Sequence, residues 1–133
     1  MKTLVLASLA ALAVAACTST QSAREGEESA EAELATVLEG RTAGRPVSCI
    51  NMRGLGGNRS FGENAILFEG PSNNVVWVNR PRNGCPMLTR SRSLRFRTTS
   101  TQLCSGDVGI VFDAPSGIEF GGCILGEFTP YTR

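Results

Sequence analysis

Histidine is absent from the 133-residue chain and lysine occurs once, at Lys2. Without an imidazole the chain lacks the usual general base, the Ser/His and Cys/His nucleophile pairs and the commonest zinc ligand. There is no C-x-x-C pair, and the last four cysteines are spaced 36, 19 and 19 residues apart. That spacing suits disulfides rather than a metal site, so neither a metal nor a cofactor is expected. "GLGG" at 54–57 is not followed by G-K-[ST], which makes it a turn or bulge rather than a phosphate loop. Paired carboxylates remain the one route to catalysis, through Asp107, Asp113, Glu119 and Glu127. Asp107 lies in a Ser-Gly-Asp turn and Asp113 at a strand end, where aspartate is good turn chemistry, so no catalytic residue is assigned.

No apolar run is long enough to span a bilayer. Leu4 to Ala16 is apolar or small except for Ser8, a run of 13 residues after the positive Lys2. It is too short for ~30 Å of hydrocarbon and of the right length for the core of a signal peptide. Val14, Ala15 and Ala16 then crowd directly before Cys17. This resembles the lipobox of bacterial lipoproteins, in which the cysteine thiol is diacylated and the peptide is cut before it. Residues 1–16 are therefore read as the lipoprotein signal peptide and Cys17 as the lipidated residue. Five cysteines is an odd number, and setting Cys17 aside leaves four that can pair completely. Two or three acyl chains, at ~0.8 kcal/mol per buried CH₂, make a permanent anchor. Thr18 and Ser19 stand where aspartate would favour inner-membrane retention, so the expected place is the cell envelope, lipid-anchored in the outer membrane and facing the periplasm.

Charge is divided along the chain. From Cys17 to Glu39 one arginine faces six glutamates, net −5, whereas from Gly40 to Arg133 eleven arginines face six acids, net +5. Residues 17–44 have few apolar anchors, only Leu34, Val37 and Leu38, and read as an acidic, flexible tether with a short helix over about 31–38 ended at Gly40. Extended, the 22 residues from Thr18 to Glu39 would reach about 75 Å.

No segment after residue 45 has believable helical periodicity. Alternation at Val47–Met52, the apolar "AILFEG", "VVWVNR", "LRFRTTS", Val108–Asp113 and "GGCILGEFTPY" supply five to six short strands. Ala65–Glu69 and Val75–Arg80 read as a hairpin across "SNN", and the two apolar faces of Val75–Val78 place that strand mid-domain, with Trp77 as its largest core side chain. The expectation for 45–133 is a mainly β domain, a small antiparallel barrel or sandwich stabilised by disulfides. Four cysteines allow three pairings. Cys49 with Cys123 would join the first strand to the last, and Cys85 with Cys104 would staple an arginine-rich excursion.

That excursion holds Arg80, Arg82, Arg90, Arg92, Arg95 and Arg97. On a strand, Arg95 and Arg97 leave by the face opposite Leu94 and Phe96. Arg90, Arg92, Arg95 and Arg97 are thus either an anion-binding patch for phosphates or carboxylates, or a solvated face paired with the tether glutamates. Beyond the membrane itself, the partners such a patch implies are an anionic envelope component or an envelope protein, and not nucleic acid.

"SCINMRGL", "NAILFEG", "NGCPML", "STQLCSGD" and "CILGEFTPY", with their four ordered cysteines, resemble a family of small proteobacterial lipoproteins whose four-cysteine β-domain has no assigned function. The resemblance covers about residues 45–131. It implies an envelope lipoprotein with a disulfide-stabilised β-domain and carries over no functional residue. The resulting expectation is a non-enzymatic binding or structural module. The alternatives are an inhibitor of an envelope-attacking enzyme such as lysozyme, by analogy with other small disulfide-bonded β-barrel lipoproteins, and a small carboxylate-dependent hydrolase.

Overall fold

Ala65, Ile66, Leu67 and Phe68 are all buried, and they follow one another along a single strand, β4 (Ala65–Glu69). Because a strand's side chains alternate between faces, four consecutive buried residues require cover on both sides. A computed structural model that describes residues 15–133, with side chains from Thr20 onward, shows what each face meets.

β4 pairs with β3 (Gly57–Phe61) on one side and with β5 (Val75–Asn79) on the other, and β5 continues to β10 (Phe128–Thr132) and β1 (Thr42–Ala43). This five-stranded antiparallel sheet packs one face against two smaller sheets. These are β2 (Cys49–Asn51) with β7 (Gln102–Cys104), and β6 (Ser93–Phe96) with β8 (Val108–Phe112) and β9 (Glu119–Ile124). Ile66, Phe68 and Phe128 meet Ile50, Leu94, Leu103, Val111 and Leu125 in the principal core. Phe68 sits edge-on to Phe128 with ring centroids 5.6 Å apart. The fold is mainly β, antiparallel and sandwich-like, and the described strands close no barrel.

The opposite face of the large sheet, Phe61, Ala65, Leu67, Val76 and Val78, is covered by α1 (Ala15–Val37). Leu34 is the helix's fully sequestered residue, and Ala30, Val37 and Leu38 pack beside it. The acidic segment forms a helix longer than the short one expected over 31–38, and it docks on the sheet from Glu27 onward. It is not apolar enough to cross a membrane. The expected signal peptide falls on residues of which 1–14 lie outside the described ones, and the side chain of Cys17 lies outside them as well.

Among the described residues ten short strands replace the five or six expected. The segment read as one last strand is two, β9 and β10, broken at Gly126 and Glu127. Asn79 is fully buried there. Its Nδ2 donates to the Gly126 carbonyl at 2.7 Å, and its Oδ1 accepts the Gly126 N–H at 3.0 Å. Pro130 lies inside β10. Its carbonyl accepts the N–H of Gly44, so its nitrogen also faces that side, and no rung to β5 is lost. Trp77 is only half-buried at the margin of the core, where Phe68 and Phe128 are the largest sequestered side chains.

The disulfide pairing also differs from expectation. Cys49 pairs with Cys104, and Cys85 with Cys123. Cys49 and Cys104 face each other across the β2–β7 ladder with Cα atoms 4.0 Å apart, a neighbour relation created by a three-residue strand that composition does not reveal. Cys123 points from β9 into the principal core, where Cys85 meets it.

Candidate functional site

The chain between β5 and β6 has no regular structure, yet many contacts fix it. The N–H of Arg82 donates to the carbonyl of Ile124, the N–H of Cys85 to the carbonyl of Glu63, and the N–H of Met87 to the Glu63 carboxylate. The Cys85–Cys123 bond holds it from below, and Leu88 is buried in the core. Thus anchored, the loop runs past β3, where the Ser60 hydroxyl donates to the carbonyl of Thr89.

This course sets Arg90 and Arg92 opposite the C-terminal half of α1. Between helix, β3 and loop lies a cleft of about 580 Å³. Val37, Phe61 and Leu88 supply its apolar lining, and Arg59, Arg90 and Arg92 its cationic groups, with Glu33 the one carboxylate among the lining residues. Arg92 is the most constrained of the three. Its Nη1 donates to the Met87 carbonyl at 2.7 Å, and its guanidinium lies 3.8 Å from the centroid of the Phe120 ring. Arg90 forms an ion pair with Glu33, and Arg59 stands over the Phe61 ring. Both are exposed, so the Arg90–Glu33 pair is the kind an incoming anion displaces at little cost.

The four arginines expected to act together are divided. Arg90 and Arg92 enter the cleft. Arg95, exposed on β6, and Arg97, exposed just after it, share Glu119 instead, at 2.5 and 3.6 Å. Arg95 also lies over the Phe112 ring. Arg80 pairs with Glu31 of α1 at 2.5 Å, and the guanidinium holds that carboxyl below the usual glutamate range. Pairing with the acidic segment is thus realised at Arg80 and Arg90 and not at Arg95 and Arg97.

Arg59 was missed because the glycines before it hide the edge strand β3. The alternation Arg59, Ser60, Phe61 is the only trace of that strand in the sequence. Glu33 was grouped with a flexible tether and not assigned to a site.

Three of the four carboxylates considered for hydrolysis serve local structure. Asp107 accepts the N–H of Cys104 in the β7–β8 turn. Asp113 accepts both the N–H and the hydroxyl of Ser116, which lowers its pKa. Glu119 holds Arg95 and Arg97, while Glu127 lines a separate cavity with Arg80 and Tyr131. Four cysteines are consumed as disulfides, and no three metal-ligating side chains gather among the described residues. No family model, curated protein or solved structure matches the chain.

Proposed function

We propose that the chain is a lipid-anchored, non-enzymatic binding module of the bacterial cell envelope, akin to the small proteobacterial lipoproteins it resembles. In this reading residues 1–16 are removed, Cys17 carries the lipid, and the cleft under α1 takes an anionic amphiphile of the envelope. The observation that carries the binding half is the convergence of Arg59, Arg90 and Arg92 on an apolar-lined cleft with a single opposing carboxylate, Glu33. Apolar surface next to guanidinium groups fits a ligand with a hydrocarbon part and a phosphate or carboxylate head. Glu33 on Arg90 is an internal example of that head group's chemistry.

Native mass spectrometry of the chain extracted from envelope membranes into a neutral detergent tests the reading. The expected spectrum carries an anionic lipid-like adduct on the wild type that is lost in the Arg90→Gln/Arg92→Gln variant. Equal adducts on both proteins would refute the cleft as the site.

A further inference from the structure

A second cavity, of about 240 Å³, adjoins the first. The two share Val37 and Arg59 as lining, and the smaller one is bounded in addition by Arg41, Glu69 and the β4–β5 turn at Ser72 and Asn73. Arg41 lies four residues beyond the end of α1, after Gly40 turns the chain at φ 72°. Its Nη2 donates to the Asn73 carbonyl at 3.0 Å. Its Nε and Nη1 are buried and have no hydrogen-bond partner among the described residues.

A guanidinium keeps its charge at every physiological pH, and a buried N–H without an acceptor is rare because it is costly. Arg80, Arg90, Arg95 and Arg97 all have carboxylates, so the condition of Arg41 is not general to this surface. The second cation at the cavity, Arg59, is only loosely held, its Nε 3.7 Å from the Glu69 carboxylate with both side chains about half exposed. Two guanidiniums against one carboxylate leave the cavity with a net positive charge.

We infer that Arg41 and Arg59 form a small oxyanion site of the phosphate class beside the larger cleft, with which it shares Arg59. A tetrahedral oxyanion has acceptor oxygens for more than one guanidinium, and to reach the buried Nε and Nη1 of Arg41 it would have to draw that side chain toward the cavity. Its source is either a free phosphate or the phosphate of a lipid head group whose remainder lies along the shared wall at Val37.

Thermal unfolding of the full chain in neutral detergent reads this directly. Inorganic phosphate should raise the transition temperature relative to chloride at equal ionic strength, with at least tenfold weaker binding in Arg41→Gln and less than a twofold change in Arg90→Gln. Should Arg41→Gln fold poorly, a phosphate-dependent shift of the Arg41 Nε resonance in the wild type gives the same information. A short-chain phosphatidic acid run alongside separates the sources. Binding of either ligand with the Arg41 dependence supports the site, and Arg41-dependent binding of the lipid alone assigns it to a head group. No response to either, or equal affinity in wild type and Arg41→Gln, overturns it. Sensitivity to Arg90→Gln without sensitivity to Arg41→Gln would place the anion in the larger cleft, removing this inference while leaving the proposed function intact.

Discussion

Glu27 and Asn79 are ordinary polar letters in the sequence, and each closes a junction of the fold. The Glu27 carboxylate accepts the N–H of Glu63 at 3.0 Å and the Asn64 Nδ2 at 2.7 Å, which fixes α1 to the β3–β4 turn. Gly62 makes the approach feasible. At φ 61° a side chain there would be strained, and a Cβ would stand 2.6 Å from the Glu27 carboxylate. Glu27→Ala should lower stability by about 1–2 kcal/mol in urea unfolding, since charge-assisted bonds are lost while their donors remain solvent-accessible. Asn79→Ala should cost about 2–3 kcal/mol, because the Gly126 N–H and C=O would be buried without partners. An unchanged midpoint in the second variant would show that the β9–β10 junction does not depend on this amide. Neither role was legible, because both depend on backbone groups more than 30 residues away.

At the scale of elements, the hairpin β4–β5, the strand β8 and the inward Leu94 and Phe96 of β6 were readable, because apolar alternation reports burial directly. β3, β7 and the start of β9 were not. They are glycine-rich, polar or only three residues long, and take their structure from neighbouring strands rather than their own composition. The two-sided apolar pattern of Val75–Val78 placed that strand mid-domain without showing what covers its second face. α1 escaped notice as that layer because Leu34 is the one fully buried large side chain among its described residues, and beside the partly buried Ala30 and Val37 the attachment is polar: Glu27 on the turn, Glu31 on Arg80, Glu33 on Arg90. Leu34→Ala should therefore destabilise by about 2–3 kcal/mol and release α1, seen as lost hydrogen-exchange protection in the helix with the sheet largely retained. The Arg80 contact lowers the Glu31 pKa in the folded state, so its stabilisation is complete above the ordinary value of 4.5 and is lost as pH falls through the lower folded value. Both groups are largely exposed, so this amounts to no more than ~1 kcal/mol, and α1 protection should decline gradually below pH 4.5. Protection that rises on acidification would contradict the ion-pair account.

For the molecule as a whole, the helix alters the geometry expected of a tether. If Cys17 carries the lipid, the ten residues from Cys17 to Gly26 lead to the docked part of α1 over about 15 Å of helix, against roughly 75 Å for an extended linker. The arginine cleft is then held near the lipid surface. Cys17→Ser should give a protein that a palmitate analogue does not label and that retains residues 1–16; normal labelling would exclude Cys17 as the anchor. The cross-links act at this scale too. They close loops of 55 and 38 residues, worth about 4 kcal/mol each in the loop-entropy account. Non-reducing peptide mapping should recover Cys49 joined to Cys104 and Cys85 joined to Cys123, and a Cys49–Cys123 peptide would contradict the fold.

Isothermal titration of the full chain in neutral detergent measures whether the cleft under α1 binds an anionic amphiphile. Short-chain phosphatidylglycerol should bind, and phosphatidylcholine of equal chain length should bind at least tenfold more weakly. Affinity for the anionic lipid should fall between 0.1 M and 1 M salt as the Debye length shrinks from ~10 Å to ~3 Å. Arg90→Gln/Arg92→Gln should reduce the anionic lipid's affinity to that of the neutral one. Equal affinities for the two lipids in the wild type, or unchanged binding in the double variant, would contradict the proposed function.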